Sequence, residues 1–230
     1  MDVSVLLPTL NEADAIEEII GRVRKVDSAY RIYVADSGST DGTVDIVRRL
    51  GVELITLDRR GKGIAIKKAF GEIDTDVLVL LDSDASYMPE EIPKLLERLE
   101  GCEVVLGSRF KGRIEEGAMK PVNRLGNGML TLMANVLYLR PISDVCSGFW
   151  AFRKSAYKRM VVDAPHFSLE ANFFAECSRL RLRICEVPIS YGVRQGETKL
   201  TILHGIDIGA YLLRRRVLGP NRDAERRCGS

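Results

Sequence analysis

No stretch of this chain approaches the roughly 18 to 20 consecutive apolar residues that a membrane-crossing helix requires, so any membrane contact is expected to be peripheral. Its five cysteines (Cys102, Cys146, Cys177, Cys185 and Cys228) form an odd set with no C-x-x-C pair. That argues against a disulfide framework and a zinc site, and it suits a reducing cytoplasm. Internal repeats and low-complexity tracts are absent. The start, Met1-Asp2-Val3-Ser4-Val5-Leu6-Leu7, reads directly as a strand, and no signal peptide is expected. Excess charge is also nearly absent, with a formal net charge of +2. Neither a nucleic-acid motif nor aromatic interleaving accompanies the basic residues, so no nucleic-acid partner is expected.

What the chain does have is the composition of a packed domain. Its 230 residues suffice for one α/β domain with a sizeable core, and the apolar fraction of 46% argues against disorder. Charge is uneven: residues 181–230 carry ten Lys or Arg against five Asp or Glu. A basic end of this kind fits a phosphate-bearing ligand or an anionic membrane surface.

Short apolar runs at residues 3–7, 31–35, 53–56, 77–81 and 103–106 alternate with helical spacing at 12–26, 43–50, 62–73 and 89–100. Pro89 suits a first helical turn, and Glu90 and Glu91 favour its N-terminus. Strands alternating with helices predict βαβ units and a mainly parallel sheet, with ligands beyond the strands' C-terminal ends. In the second half, helices are expected at 118–139 and 168–182, and strands at 148–152 and 184–191. Pro188 demotes the last strand towards a sheet edge. A final apolar-rich segment covers 200–218, and a frayed tail covers 220–230.

The strongest local signal is Val77-Leu78-Val79-Leu80-Leu81-Asp82-Ser83-Asp84. A buried strand delivers two carboxylates at its end, and alternation would point both to one side. Their mutual repulsion favours a hard cation, Mg²⁺ or Mn²⁺, that bridges carboxylates and ligand phosphates. The plain alternative is a solvated turn. A second cluster, Ala35-Asp36-Ser37-Gly38-Ser39-Thr40-Asp41-Gly42-Thr43, offers tight turns and hydroxyl hydrogen bonds. Asp36 could accept from a base or ribose, while Asp41 could contact a ligand or merely cap the next helix. Arg59-Arg60-Gly61-Lys62-Gly63 suits a pyrophosphate, or is an exposed basic loop. In Leu7-Pro8-Thr9-Leu10-Asn11-Glu12, Pro8 stiffens the loop, and Asn11 or Glu12 could cap a helix or contact a nucleotide.

In this order and spacing, the LPTLNE start, the ADSGSTDGT turn, the RRGKG loop and the DSD resemble the family 2 glycosyltransferases of GT-A fold, to about residue 215. Val105–Phe110, Glu116–Asn127, Cys146–Arg153 and Glu197–Leu200 are similar to the polyprenyl-phosphate hexosyltransferases, such as the dolichyl-phosphate mannose synthases and the archaeal dolichyl-phosphate hexosyltransferases of protein N-glycosylation. Trp150 and Ser83 depart from the family's usual residues.

The resemblance implies a single α/β Rossmann-like domain with helices on both faces. Residues 1–107 would form the nucleotide-sugar half and 108–215 the acceptor half, with a basic tail at 216–230. It implies an inverting hexosyltransferase using a nucleotide-sugar, UDP favoured, a dolichyl or other polyprenyl phosphate, and Mg²⁺ or Mn²⁺. Pro8, Asn11, Glu12, Asp36, Gly38, Lys62 and Asp82 would bind the donor, Asp36 at the base. Asp84, with Asp82, would hold the metal. Arg109, Arg124, Ser147, Arg194 and Lys199 would hold the acceptor phosphate, with Asp82, Asp84 and Arg109 counted as catalytic. A phosphate acceptor needs no strong general base. For a sugar hydroxyl, Glu170 is the candidate base or else a structural partner for an arginine. A soluble acceptor is the alternative; a sugar nucleotidyltransferase is disfavoured because its G-x-G-T-R-L start is missing.

Ile202, Leu203, Ile206, Leu213 and Val217 approximate one helical face ending at Arg214, Arg215 and Arg216. That face could pack on the domain, which is the expectation here, lie on an anionic membrane or form a dimer interface.

Overall fold

The computed structural model describes residues 1–56, 62–164, 168–196 and 202–220. Seven strands form one sheet: β1 (Val3–Thr9), β2 (Arg31–Asp36), β3 (Glu53–Thr56), β4 (Val77–Leu81), β5 (Val104–Ile114), β6 (Phe149–Arg153) and β7 (Ile184–Tyr191). The described helices are α1 (Ile16–Val26), α2 (Thr43–Arg49), α3 (Lys62–Glu72), α4 (Ile92–Arg98), α5 (Pro121–Tyr138), α6 (Lys154–Tyr157), α7 (Leu169–Arg179) and α8 (Ile202–Leu218).

Strand order is β3-β2-β1-β4-β6-β5-β7. Every pairing is parallel except those of β6, which runs antiparallel between β4 and β5. The central strands β1 and β4 are buried along their whole length, as unbroken apolar runs covered on both faces should be. Alternation splits their side chains between two cores. Leu6, Leu78 and Leu80 join Phe70 of α3, Phe173 of α7 and Leu212 of α8 on one face. Val5, Leu7, Val79 and Leu81 join Ile19 of α1 and Leu95 of α4 on the other. Helices therefore cover both faces.

Several boundaries differ from expectation for physical reasons. α1 starts at Ile16 rather than residue 12: the chain turns at Asn11 with a left-handed φ of 52°, which asparagine tolerates, and the following N–H groups of Glu12 and Ala13 are bound by the Thr43 and Asp41 side chains. β5 runs on to Ile114 because its polar second half regains pairing with β7 after an irregularity between Ser108 and Arg113. β7 does lie at the edge, where Pro188, which has no N–H, donates nothing to the ladder.

The reading against disulfides is corrected. Cys102 and Cys185 are bonded, with their Cα atoms 6.0 Å apart, because β5–β7 pairing sets Cys185 opposite Val105. A separation of 83 residues conceals such a pair from spacing arguments.

The expected packing of α8 is corrected too. Ile206, Leu213 and Val217 are exposed, and the helix docks through Ile208, Tyr211, Leu212 and Arg215. The side chains of Ile202 and Leu203 lie outside the described residues. Arg215 pairs with Asp163 and Glu176 inside the protein, so the three arginines do not act as one surface cluster. Among the described residues no helix is long and apolar enough to cross a membrane.

Candidate functional site

Three adjacent parallel strands, β2, β1 and β4, end on one edge of the sheet, and their following loops are tied together by side chains. After β2, the Asp36 carboxylate accepts from the N–H groups of Gly38 (2.9 Å) and Ser39 (3.0 Å) and from the Ser39 hydroxyl. Gly38 takes φ 93°, a backbone state that glycine adopts without strain. The Ser39 hydroxyl accepts from the Asn11 N–H at 2.8 Å, and the Asn11 side-chain oxygen Oδ1 accepts from the Thr40 N–H at 2.8 Å. Asn11, Asp36 and Gly38 thus form one knot between the first two loops.

Asp41 belongs to the scaffold of that knot. It accepts from the N–H groups of Ala13 (2.9 Å) and Thr43 (3.0 Å) and from the Thr43 hydroxyl. Burial acts to raise its pKa, but these hydrogen bonds outweigh it and hold the carboxyl below its ordinary value. Thr43 in turn accepts from the Glu12 N–H at 3.0 Å.

After β4, the Ser83 hydroxyl donates to the Pro8 carbonyl at 2.8 Å, joining the ends of β4 and β1. Asp82 lies beside Gly148, brought there by the antiparallel register Leu81↔Phe149. Any side chain at 148 would collide with the Asp82 carboxylate, so glycine is what leaves the carboxylate its space. The Gly148 N–H donates to the Tyr87 hydroxyl at 2.7 Å, and burial drives that phenol's pKa well up.

Asp84 is buried. One of its oxygens, Oδ1, accepts from the Ser86 N–H at 3.0 Å and from the Ser86 hydroxyl. The other, Oδ2, lies 3.4 Å from Nη2 of Arg194, which is also 3.3 Å from Oε1 of Glu12. The structure therefore gathers Glu12, Asp84 and Arg194 into direct contact. The sequence reading put the arginine with the acceptor and the glutamate with the donor, so it missed this clasp. The two acids and the arginine lie in the loops that follow β1, β4 and β7, far apart in sequence, and no local spacing signals the contact.

Arg109 does not project as a solvated cation. It is buried and grips Asp144 through Nε (2.7 Å) and Nη2 (2.7 Å), beneath the ring of Tyr191. Asp144 carried no motif and was not singled out in the sequence. Ser147 is likewise buried, its hydroxyl donating to the Gly107 carbonyl. Trp150, the departure from the family pattern, is enclosed with its indole N–H donating to the Ser147 carbonyl at 2.6 Å. Arg124 stands apart on the exposed first turns of α5, and Glu170 is half-buried in the first turn of α7. Cys146 has its pKa pushed up to about 12 by burial, which leaves it a thiol and no nucleophile near neutral pH. Arg59, Arg60, Gly61 and Lys199 lie outside the described residues, as does the side chain of Lys62.

Among the described residues, no three His, Cys, Asp or Glu side chains gather into a self-sufficient metal cage. The donor chemistry nonetheless fits Mg²⁺ or Mn²⁺, which take one or two carboxylates and fill their remaining positions with phosphate oxygens and water. A positive group already stands against Asp84 Oδ2, which shows that the pocket around this oxygen favours a cation.

The chain matches the family model described as Glycosyl transferase family 2 over residues 4–161. It is 35% identical over 204 residues to the low-salt glycan biosynthesis hexosyltransferase Agl6 of Haloferax volcanii, covering 86% of this chain and 49% of that protein. The chain therefore spans about half the length of this relative. Identity is 31% over 200 residues with a dolichyl-phosphate hexose transferase of the same organism, covering 86% of each chain. Among solved structures, glucosyl-3-phosphoglycerate synthase from Mycobacterium tuberculosis, in complex with Mn²⁺ and UDP-glucose, has a TM-score of 0.73 at 24% identity. That likeness covers 96% of this chain and 80% of the other, and it agrees with the expected GT-A fold.

Proposed function

The chain belongs to glycosyl transferase family 2, and on that premise we propose that it moves a hexose from a nucleotide-sugar, a UDP-sugar by preference, to a polyprenyl phosphate such as dolichyl phosphate. The observation that supports the reading is that Asp36, at the end of β2, and Asp82 and Asp84, just after β4, lie at the same C-terminal edge of adjacent parallel strands, where α/β sheets bind ligands. The relatives named as hexosyltransferases, one of them for dolichyl phosphate, support the choice of acceptor.

In this reading Asp36, held rigid by Gly38 and Ser39, receives the nucleoside, and the Pro8–Glu12 loop closes over it. Asp84, with Asp82, holds a Mg²⁺ or Mn²⁺ ion. When bound, that ion supplies charge neutralisation for the departing nucleoside diphosphate. Lys62, Arg194 and Lys199 add cationic groups for the phosphates. Arg124 receives the acceptor phosphate from the exposed side. Arg109, locked on Asp144, contributes by fixing the floor on which Ser147 and Gly148 sit. The acceptor oxygen attacks the anomeric carbon opposite the leaving group, with inversion. Because a phosphate monoester is largely ionised near neutral pH, positioning and charge suffice, and Glu170 is not needed as a base.

We assign the acceptor's bilayer to the face made by α5 and α8. Val122, Leu125, Met129, Leu132 and Val136 are exposed at alternating spacings of three and four along α5, beside exposed Ile206, Leu213 and Val217 of α8. α5 contains no acidic residue, and exposed Lys120 and Arg124 at its start and exposed Arg214 and Arg216 on α8 supply cations on the same two helices. Apolar stripes with cations and few acids suit an anionic lipid surface.

The test is incubation with Mg²⁺ or Mn²⁺, dolichyl phosphate and labelled UDP- and GDP-sugars. Label in the lipid phase is expected from wild type and is expected to vanish in Asp84→Ala with the fold intact. Arg124→Ala is expected to weaken acceptor use far more than donor binding. Donor turnover with no lipid product refutes the lipid acceptor, and near-normal activity of Asp84→Ala refutes the metal assignment.

A further inference from the structure

The segment after β7 is sewn onto the loop that carries Asp84. The Gly192 N–H donates to the Ser86 carbonyl at 2.8 Å, and the Gln195 N–H donates to the Asp84 carbonyl at 2.9 Å. The Gln195 side chain adds a bond to Glu18 at 2.8 Å. Between these ties sits Arg194, one amino group within 3.4 Å of both Asp84 Oδ2 and Glu12 Oε1. Its Nε is buried and has no hydrogen-bond partner among the described residues. The arginine is therefore held by one hydrogen bond to Glu12, by the charge of Asp84 and by its backbone neighbours, with part of its guanidinium unpaired among the described residues. Ser86 binds Oδ1 of Asp84, so the arginine covers the oxygen that faces away from that bond.

We propose that Arg194 is a tethered cation that competes with the divalent ion for Asp84 Oδ2, so that metal and nucleotide binding releases Arg194 together with residues 192–196. The proposal rests on the assignment of Asp84 to the metal made above. Its physical basis is that a guanidinium and a divalent ion cannot share one carboxylate oxygen at contact distance without strong repulsion. While the site waits, Arg194 neutralises two buried acids whose mutual repulsion would otherwise open the pocket. Once displaced, the same arginine is free to meet the donor's phosphates, so release of the latch and capture of the diphosphate become one event. Coupling of this kind lies in the range of about 5- to 150-fold in affinity.

The experiment is a Mn²⁺ titration, followed by the electron paramagnetic resonance signal of free Mn²⁺, of wild type, Arg194→Gln and Asp84→Asn, without and with UDP. Hydrogen exchange at residues 189–196 is measured on the same samples. Arg194→Gln is expected to bind Mn²⁺ roughly tenfold more tightly than wild type without UDP. In wild type, the Gly192 and Gln195 amides are expected to exchange faster once Mn²⁺ and UDP are added. Mn²⁺ uptake that is lost in Asp84→Asn but equal or weaker in Arg194→Gln overturns the latch alone. Uptake that Asp84→Asn leaves unchanged overturns the metal assignment and the latch with it.

Discussion

Replacing Arg215 by methionine tests how α8 is mounted. The guanidinium lies inside the protein, 2.6 Å from Glu176 Oε1 and 3.2 Å from Asp163 Oδ2, with side-chain exposures of 4% for Arg215, 3% for Asp163 and 1% for Glu176. Methionine fills much of the volume but removes the charge. Glu176 keeps Arg179 and the Val161 N–H, and Asp163 keeps the Tyr211 hydroxyl at 2.7 Å. One net negative charge is nevertheless left in a dry pocket. Breaking a buried pair this way costs about 3–5 kcal/mol. Ile208 and Leu212, the aliphatic anchors of α8, contribute about 1.5–3 kcal/mol each by burial. The loss is thus as large as the aliphatic docking energy of the helix, and α8 is expected to detach before the sheet unfolds. Hydrogen exchange should show lost protection in α8 with β1 and β4 still protected, and urea unfolding should become biphasic. Arg215→Met combined with Glu176→Gln should recover much of the docking. A single variant within about 1 kcal/mol of wild type, with α8 still protected, refutes the argument.

Two further outcomes follow from the scaffold. Reducing the Cys102–Cys185 bond, which closes a separation of 83 residues, should lower stability by up to about 4.5 kcal/mol on a chain-entropy basis; urea melts of oxidised and reduced protein that coincide refute a stabilising role. Asp41 has a folded-state pKa below its ordinary 3.8, so its stabilisation is complete above that value and fades as pH falls through the lower folded one. Wild type should therefore exceed Asp41→Asn in urea midpoint at pH 6, with the gap narrowing between pH 4 and pH 2; a gap that does not change with pH removes the carboxylate from the explanation.

Much of the N-terminal half was legible because its signals are local. An apolar run ending in Asp82-Ser83-Asp84 identifies both a buried strand and the carboxylates at its end, and β4 forms as read. Asp36 and Gly38 were legible for the same reason, since a turn rich in Gly, Ser and Asp makes its bonds within a few residues. What escaped depends on pairing between distant segments. Asp144 is an ordinary residue until β5 brings Arg109 to it, 35 positions away in the chain. Cys102 and Cys185 are odd cysteines until β7 pairs with β5. The Glu12–Arg194–Asp84 clasp spans 182 positions between its outer members and leaves no periodic trace.

The helix α8 shows how a correct pattern can carry the wrong partner. Its sequence has two apolar faces, and periodicity alone cannot say which one the core takes. The choice is made by Arg215, whose ion pairs with Asp163 and Glu176 are available only from the side that also buries Ile208, Tyr211 and Leu212. With that side committed, Ile206, Leu213 and Val217 are forced outwards, next to the exposed stripe of α5. Tyr138 of α5 donates to the Leu212 carbonyl and Arg216 of α8 donates to the Leu137 carbonyl, so the two helices are fixed to each other and their exposed stripes hold one relative orientation. A buried ion pair is weak evidence for stability, but here it decides which face of a helix the protein shows. On the proposed function that decision also sets the direction from which a lipid phosphate reaches Arg124.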